Sequence, residues 1–111
     1  MAKGGAVFTL KSNRLPALKG QAKANASALV RRTAFAILAG TQDRAPVDTG
    51  ALRASYSVEM DGDLTAIVGT NIEYAVPVEL GSSRSPAQPH LIPAAEAERA
   101  EFEAGAKELL K

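Results

Sequence analysis

Leu15, Leu18, Ala22, Ala26, Leu29, Ala34, Ile37 and Leu38 recur at mostly three- to four-residue spacing, and this run constrains the chain more than any other feature. It predicts an amphipathic helix of about seven turns. Ser12 or Asn13 is suited to cap its start, and Gly40 followed by Pro46 to end it. Lys19, Lys23, Arg31 and Arg32 cannot all share the apolar face, so the helix should have one buried and one charged side. Its many alanines let a neighbouring backbone approach closely, which suits packing against a sheet or another subunit.

The flanking segments supply a small sheet. Ala6, Phe8 and Leu10 alternate with Val7, Thr9 and Lys11 as in a short strand. Beyond Pro46, Val47-Asp48-Thr49-Gly50 forms a turn in which Asp48 or Thr49 can cap a brief helix through Leu52 and Arg53. Ala54, Tyr56, Val58 and Met60 then alternate with polar residues, and Asp61-Gly62 folds this strand back onto Leu64 to Val68 as a β-hairpin. Gly69-Thr70-Asn71 is a tight turn at the strand end.

Pro77 is best tolerated in a first turn, so a short helix should begin near Tyr74 or Ala75 and stop at Gly81. Residues 82–89, with three serines, Arg84 and two prolines, read as an exposed, mobile loop. Pro93 suits the first turn of a last helix that carries Ala95, Phe102, Ala106 and Leu109 on one stripe. The expected fold class is α+β: a single domain over residues 1–111, with a long N-terminal amphipathic helix and a C-terminal helix packed on a small antiparallel sheet containing the hairpin.

Apolar residues make up 46% of the 111, but aromatics only 5% with no Trp, so the core must be built from Ala, Val, Leu and Ile. Such a core is thin, and burial against partners would strengthen it. Residues 1–42 hold seven basic residues and no acid, whereas residues 43–111 hold six basic and all twelve acidic ones. Opposed halves attract each other within one chain, or between neighbours packed head to tail. No signal peptide or apolar run of membrane-spanning length is present, so a soluble protein made in the cytoplasm is expected.

Catalytic sets are hard to assemble from these residues. Cysteine chemistry is excluded, and His90, the only histidine, lacks a nearby second metal ligand, so no cofactor is expected. The serines show no G-x-S-x-G elbow, and Gly69-Thr70-Asn71 lacks the spacing and Lys of a phosphate loop. Glu73 and Glu79 invite a two-carboxylate reading, but six residues apart on a short helix they need not face one cleft.

Three segments in order, Pro46 to Ser55, then Val68-Gly69-Thr70-Asn71 with Tyr74-Ala75 and Glu79-Leu80-Gly81-Ser82, then Pro89-His90-Leu91-Ile92-Pro93-Ala94, resemble one family. It is the small neck or tail-component family of long-tailed bacteriophages and prophages, encoded among head-to-tail joining genes. His90 departs from the family's pattern, which more often has an aromatic residue there. The resemblance implies a non-enzymatic virion protein, located in the neck or tail, within a ring that connects the DNA-filled head to the tail.

It implies as partners further copies of the chain, as a hexamer, together with head-completion, stopper or adaptor proteins and tail terminator or tail-tube proteins. Double-stranded DNA would pass without sequence readout, and no membrane is involved. Tyr74, Glu79, Leu80, Arg84, His90 and Leu91 are the expected contact residues, and Lys19, Lys23, Arg31 and Arg32 the expected channel contacts. Asp48, Gly50, Gly69, Gly81 and Pro93 are the expected turns and caps. The competing reading is a small nucleic-acid-binding module that uses the basic helix.

Overall fold

The computed structural model describes residues 7–11, 19–46 and 50–109. In order these form β1 (Val7–Lys11), α1 (Gly20–Arg44), α2 (Ala51–Ser55), β2 (Ser57–Met60), β3 (Thr65–Gly69), α3 (Ala75–Leu80) and α4 (Leu91–Leu109). The three strands make one antiparallel sheet in the order β1-β3-β2, with the β2–β3 hairpin as expected. The fold is α+β: two long helices on a small sheet.

Ala66 and Val68 of the central strand point inward and are fully buried, and Val58 and Met60 pair with them in register. Ile67 lies on the opposite face between Thr9 and Glu59. Alternation therefore separates a core face from an outer face, as the period-two pattern predicts. The core face meets Ala26, Val30, Ala34 and Ile37 of α1 and Leu91, Ala94 and Ala95 of α4, an aliphatic and alanine-rich core to which Tyr56 adds an aromatic ring.

α1 is a helix because alanines with high propensity fill it and no proline interrupts it. It is 25 residues long, but its boundaries differ from those expected. Ser12, Asn13, Leu15 and Leu18 lie outside the described residues. Gly40 does not end the helix, which continues to Arg44, where Ala45 donates its N–H to the Thr41 carbonyl before Pro46 stops it.

The reason is tertiary. A Cβ on Gly40 would lie 3.2 Å from the Ala94 Cβ, so the missing side chain marks where α4 crosses α1. Gly105 makes the second crossing, against Leu29. Gly40 meeting Ala94 and Leu29 meeting Gly105 means that the two helices run antiparallel.

Two further boundaries move. The strand expected from Ala54 begins only at Ser57, because α2 extends through Ser55 and Tyr56 follows it as an extended cap residue. Asp48 and Thr49 lie outside the described residues, and the residue that caps α2 is Gly50, at φ 70° and without a side-chain hydrogen bond. α3 matches expectation, with Tyr74 as N-cap and Gly81 as its stop.

Candidate functional site: a buried carboxylate at the head of the last helix

Glu79 is the most unusual side chain in the fold, a carboxylate only 4% exposed. Its position in the second turn of α3 directs it at the start of α4, whose first N–H groups have no partners within the helix. Oε1 accepts the His90 N–H at 3.1 Å and the Leu91 N–H at 2.9 Å, and Oε2 accepts the Ile92 N–H at 3.1 Å. A distant carboxylate thus does the work of a local N-cap. It places negative charge where the helix dipole favours it, through charge-assisted bonds.

His90 extends the network. Its Nδ1 lies 2.9 Å from the Gln88 carbonyl and 3.1 Å from Glu79 Oε1, both acceptors, so Nδ1 carries the proton. In the neutral ring Nε2 is then an acceptor, and the Tyr56 hydroxyl donates to it at 2.6 Å. The two rings meet edge to face, 5.4 Å apart at 85°. Burial, and secondarily the Glu79 charge, pushes the Tyr56 hydroxyl well above its ordinary range, so it stays a donor.

A second chain of hydrogen bonds lies at the end of β3. Ser55 Oγ donates to the Leu52 carbonyl at 2.6 Å, which leaves its lone pairs for the Thr70 hydroxyl at 2.5 Å. Thr70 Oγ1 in turn accepts the Ile72 N–H at 3.1 Å. The turn stabilised by this side chain is therefore Thr70-Asn71-Ile72, directly after β3, one residue later than the expected Gly69-Thr70-Asn71.

Glu79, His90 and Leu91, expected at a contact surface, are instead covered by the chain itself. Tyr74, Leu80 and Arg84 are exposed, Leu80 to 64%. Lys19, Lys23, Arg31 and Arg32 are all exposed but do not form one row: at ~100° per residue they spread over more than half the helix circumference. Lys23 and Arg31 share a concavity with Asp63, which lies 3.9 Å from the Lys23 amine, whereas Arg32 faces a groove bordered by Glu98 and Glu101. Nor is the side of α1 away from the core mainly charged, since Ala24, Ala28, Phe35 and Ala39 are exposed there.

Gly69 pairs with Val7 and Ser57 as the last residue of β3 rather than as a loop residue. Gly81 adopts φ 85° where a Cβ would meet the Ala87 backbone, and Pro93 lies in the first turn of α4. Glu73 is exposed while Glu79 is enclosed, so the two carboxylates do not share a cleft. Among the described residues no group of His, Asp and Glu could hold a metal ion, and no buried side-chain polar atom lacks a partner. Glu79 accepts three backbone N–H groups at the start of α4, so its carboxylate is turned into the interior rather than toward an open cleft. Tyr56, Ser55 and Thr70 were not singled out by sequence, because alternation placed Tyr56 on a strand face and gave no sign of its reach to His90.

No curated protein and no solved structure matches the chain. A family model described as "Bacteriophage HK97-gp10, putative tail-component" matches residues 12–81. It ends at the Gly81 stop, so it includes Glu79 but not the helix that Glu79 caps. With more than half of its length matched, this chain belongs to the HK97-gp10-like family of bacteriophage tail components.

Proposed function

We propose that this protein is a structural subunit of the connector between the head and the tail of a phage, acting as a closed hexameric ring through which double-stranded DNA passes without sequence readout. The observation that carries this reading is membership of a tail-component family. The interior agrees with it: the buried polar groups are consumed in holding helices together, while Tyr74, Val76, Leu80, Ile92 and Phe35 stay exposed as apolar contact material.

A ring uses one heterologous contact repeatedly, so a small aliphatic core gains stability from each neighbour. The partners above and below are head-completion or adaptor proteins and tail terminator or tail-tube proteins. The wide spread of the four basic residues around α1 argues against a free nucleic-acid-binding module built on that helix.

The test is removal of the gene from its phage. Filled heads and separate tails should accumulate, and the purified chain should restore joining. Images of the purified protein should show sixfold rings. Normal virions after deletion, or a monomer at high concentration together with a neck reconstruction lacking any ring of this chain, would overturn the reading.

A further inference from the structure

On one flank of α1, Lys23, Ser27 and Arg31 follow each other at four-residue spacing. At ~100° per residue they lie within an arc of ~80°, with successive members ~6 Å apart along the axis. Arg32 lies a further ~100° round the helix and belongs to the groove beside α4. Two cations and a hydroxyl therefore share one ridge, and Arg32 is left out of it.

The ridge borders an open concavity of about 400 Å³ between α1 and the tip of the β2–β3 hairpin, lined otherwise by Gly20, Ala24, Ala28 and Asp63. Small residues leave this concavity unfilled. Arg31 makes no ion pair among the described residues, and residues 1–42 contain no acid that could supply one from the segment before the helix. Asp63 is the only acid among the described residues of the lining. It lies 3.9 Å from the Lys23 amine, with both side chains exposed, a contact worth little in water.

Lysine, arginine and a hydroxyl at regular intervals supply donors for phosphate oxygens. The lining holds no Asn or Gln to read a base edge and no aromatic ring to stack on one, so it can position a backbone without reading a sequence. The Asp63 carboxylate works against a phosphate and leaves the site a net charge of only +1.

We propose that Lys23, Ser27 and Arg31 form the surface that faces the phosphate backbone of double-stranded DNA, and that Asp63 keeps each contact weak. This rests on the ring reading and names its channel wall. A single copy grips too little charge to serve as a free binding module. Copies arranged around one duplex act together, because the first contact raises the effective concentration of the others. DNA is then guided by the whole ring and arrested by no one subunit.

The test titrates the assembled protein with a fluorescent duplex of mixed sequence at increasing salt. Lys23→Gln with Arg31→Gln should weaken binding by about tenfold or more and flatten its salt dependence, with assembly and melting temperature unchanged. Arg32→Gln, outside the concavity, should bind like the wild type. Asp63→Asn should tighten binding several-fold.

Rings that ignore the duplex, bind it equally well without Lys23 and Arg31, lose as much with Arg32→Gln, or hold polyglutamate as tightly as DNA would overturn the site and leave the ring reading standing. A monomer whose weak binding, followed by amide shifts at high concentration, still maps to Lys23, Ser27 and Arg31 would overturn the ring and leave the site. A monomer without such shifts would overturn both.

Discussion

Glu79 Oε1 touches His90 twice, accepting its backbone N–H at 3.1 Å and lying 3.1 Å from its ring Nδ1, although eleven residues separate the two in the chain. This double contact fixes the start of α4 against α3. Its removal has calculable consequences.

Glu79→Ala leaves the His90 and Leu91 N–H groups buried without acceptors. It should destabilise the protein by about 3 kcal/mol, since each unsatisfied buried donor costs roughly 1–3 kcal/mol. Glu79→Gln, which keeps one acceptor oxygen but turns an N–H₂ toward another donor, should cost less, about 1–2 kcal/mol. Urea unfolding of the three proteins checks the order.

Tyr56→Phe preserves the ring packing but orphans His90 Nε2, for a loss of about 1–3 kcal/mol at neutral pH. The hydroxyl also predicts an alkaline dependence. Its folded-state pKa is raised, so its contribution is complete below the unfolded value near 10 and is lost as pH rises beyond it. Between pH 10 and 11.5 the wild type should lose up to about 1.4 kcal/mol per pH unit more steeply than Tyr56→Phe. Parallel slopes in chemical denaturation would contradict the buried neutral hydroxyl.

The two helix crossings should respond differently to added volume. Gly40→Val forces branched methyls toward an Ala94 Cβ already 3.2 Å from the first added carbon, and should cost about 1–3 kcal/mol. At Gly105 the obstacle is the tip of Leu29, which can rotate, and alanine recovers about 1 kcal/mol of helix propensity. Gly105→Ala should therefore be close to neutral, and the difference in melting temperature between the variants measures it.

Thr70→Val keeps the shape of the turn after β3 but removes the acceptor for the Ile72 N–H and the donor to Ser55. A loss of about 1–2 kcal/mol is expected. Hydrogen exchange at the Ile72 amide should accelerate selectively, which separates this effect from general destabilisation.

Local chemistry made much of this architecture legible. Asp61-Gly62 marked the hairpin because Gly62 takes a positive φ, and Pro77 with Gly81 bounded α3 because one suits a first turn and the other a stop. Gly40 misled because the same residue that can end a helix also admits a close neighbour, and only the position of α4 decides between the two. Glu79 and His90 were legible as unusual residues but not as interior ones, because a buried carboxylate depends on donors from a segment eleven to thirteen residues away. No periodicity records that distance.

The loop between α3 and α4 is closed at its base: the Gln88 N–H donates to the Val78 carbonyl at 2.8 Å, and Gly81 lies against the Ala87 backbone. Its tip, residues 82–86, is exposed and held by Ser82, whose N–H donates to the Ser85 carbonyl and whose hydroxyl accepts the Arg84 and Ser85 N–H groups. A lobe pinned in this way can gain or lose residues without changing the angle between the helices. Mutational drift can therefore rewrite this outer feature while the frame beneath stays constant, and a foreign peptide grafted between Ser83 and Ser85 would be displayed without being read by the fold.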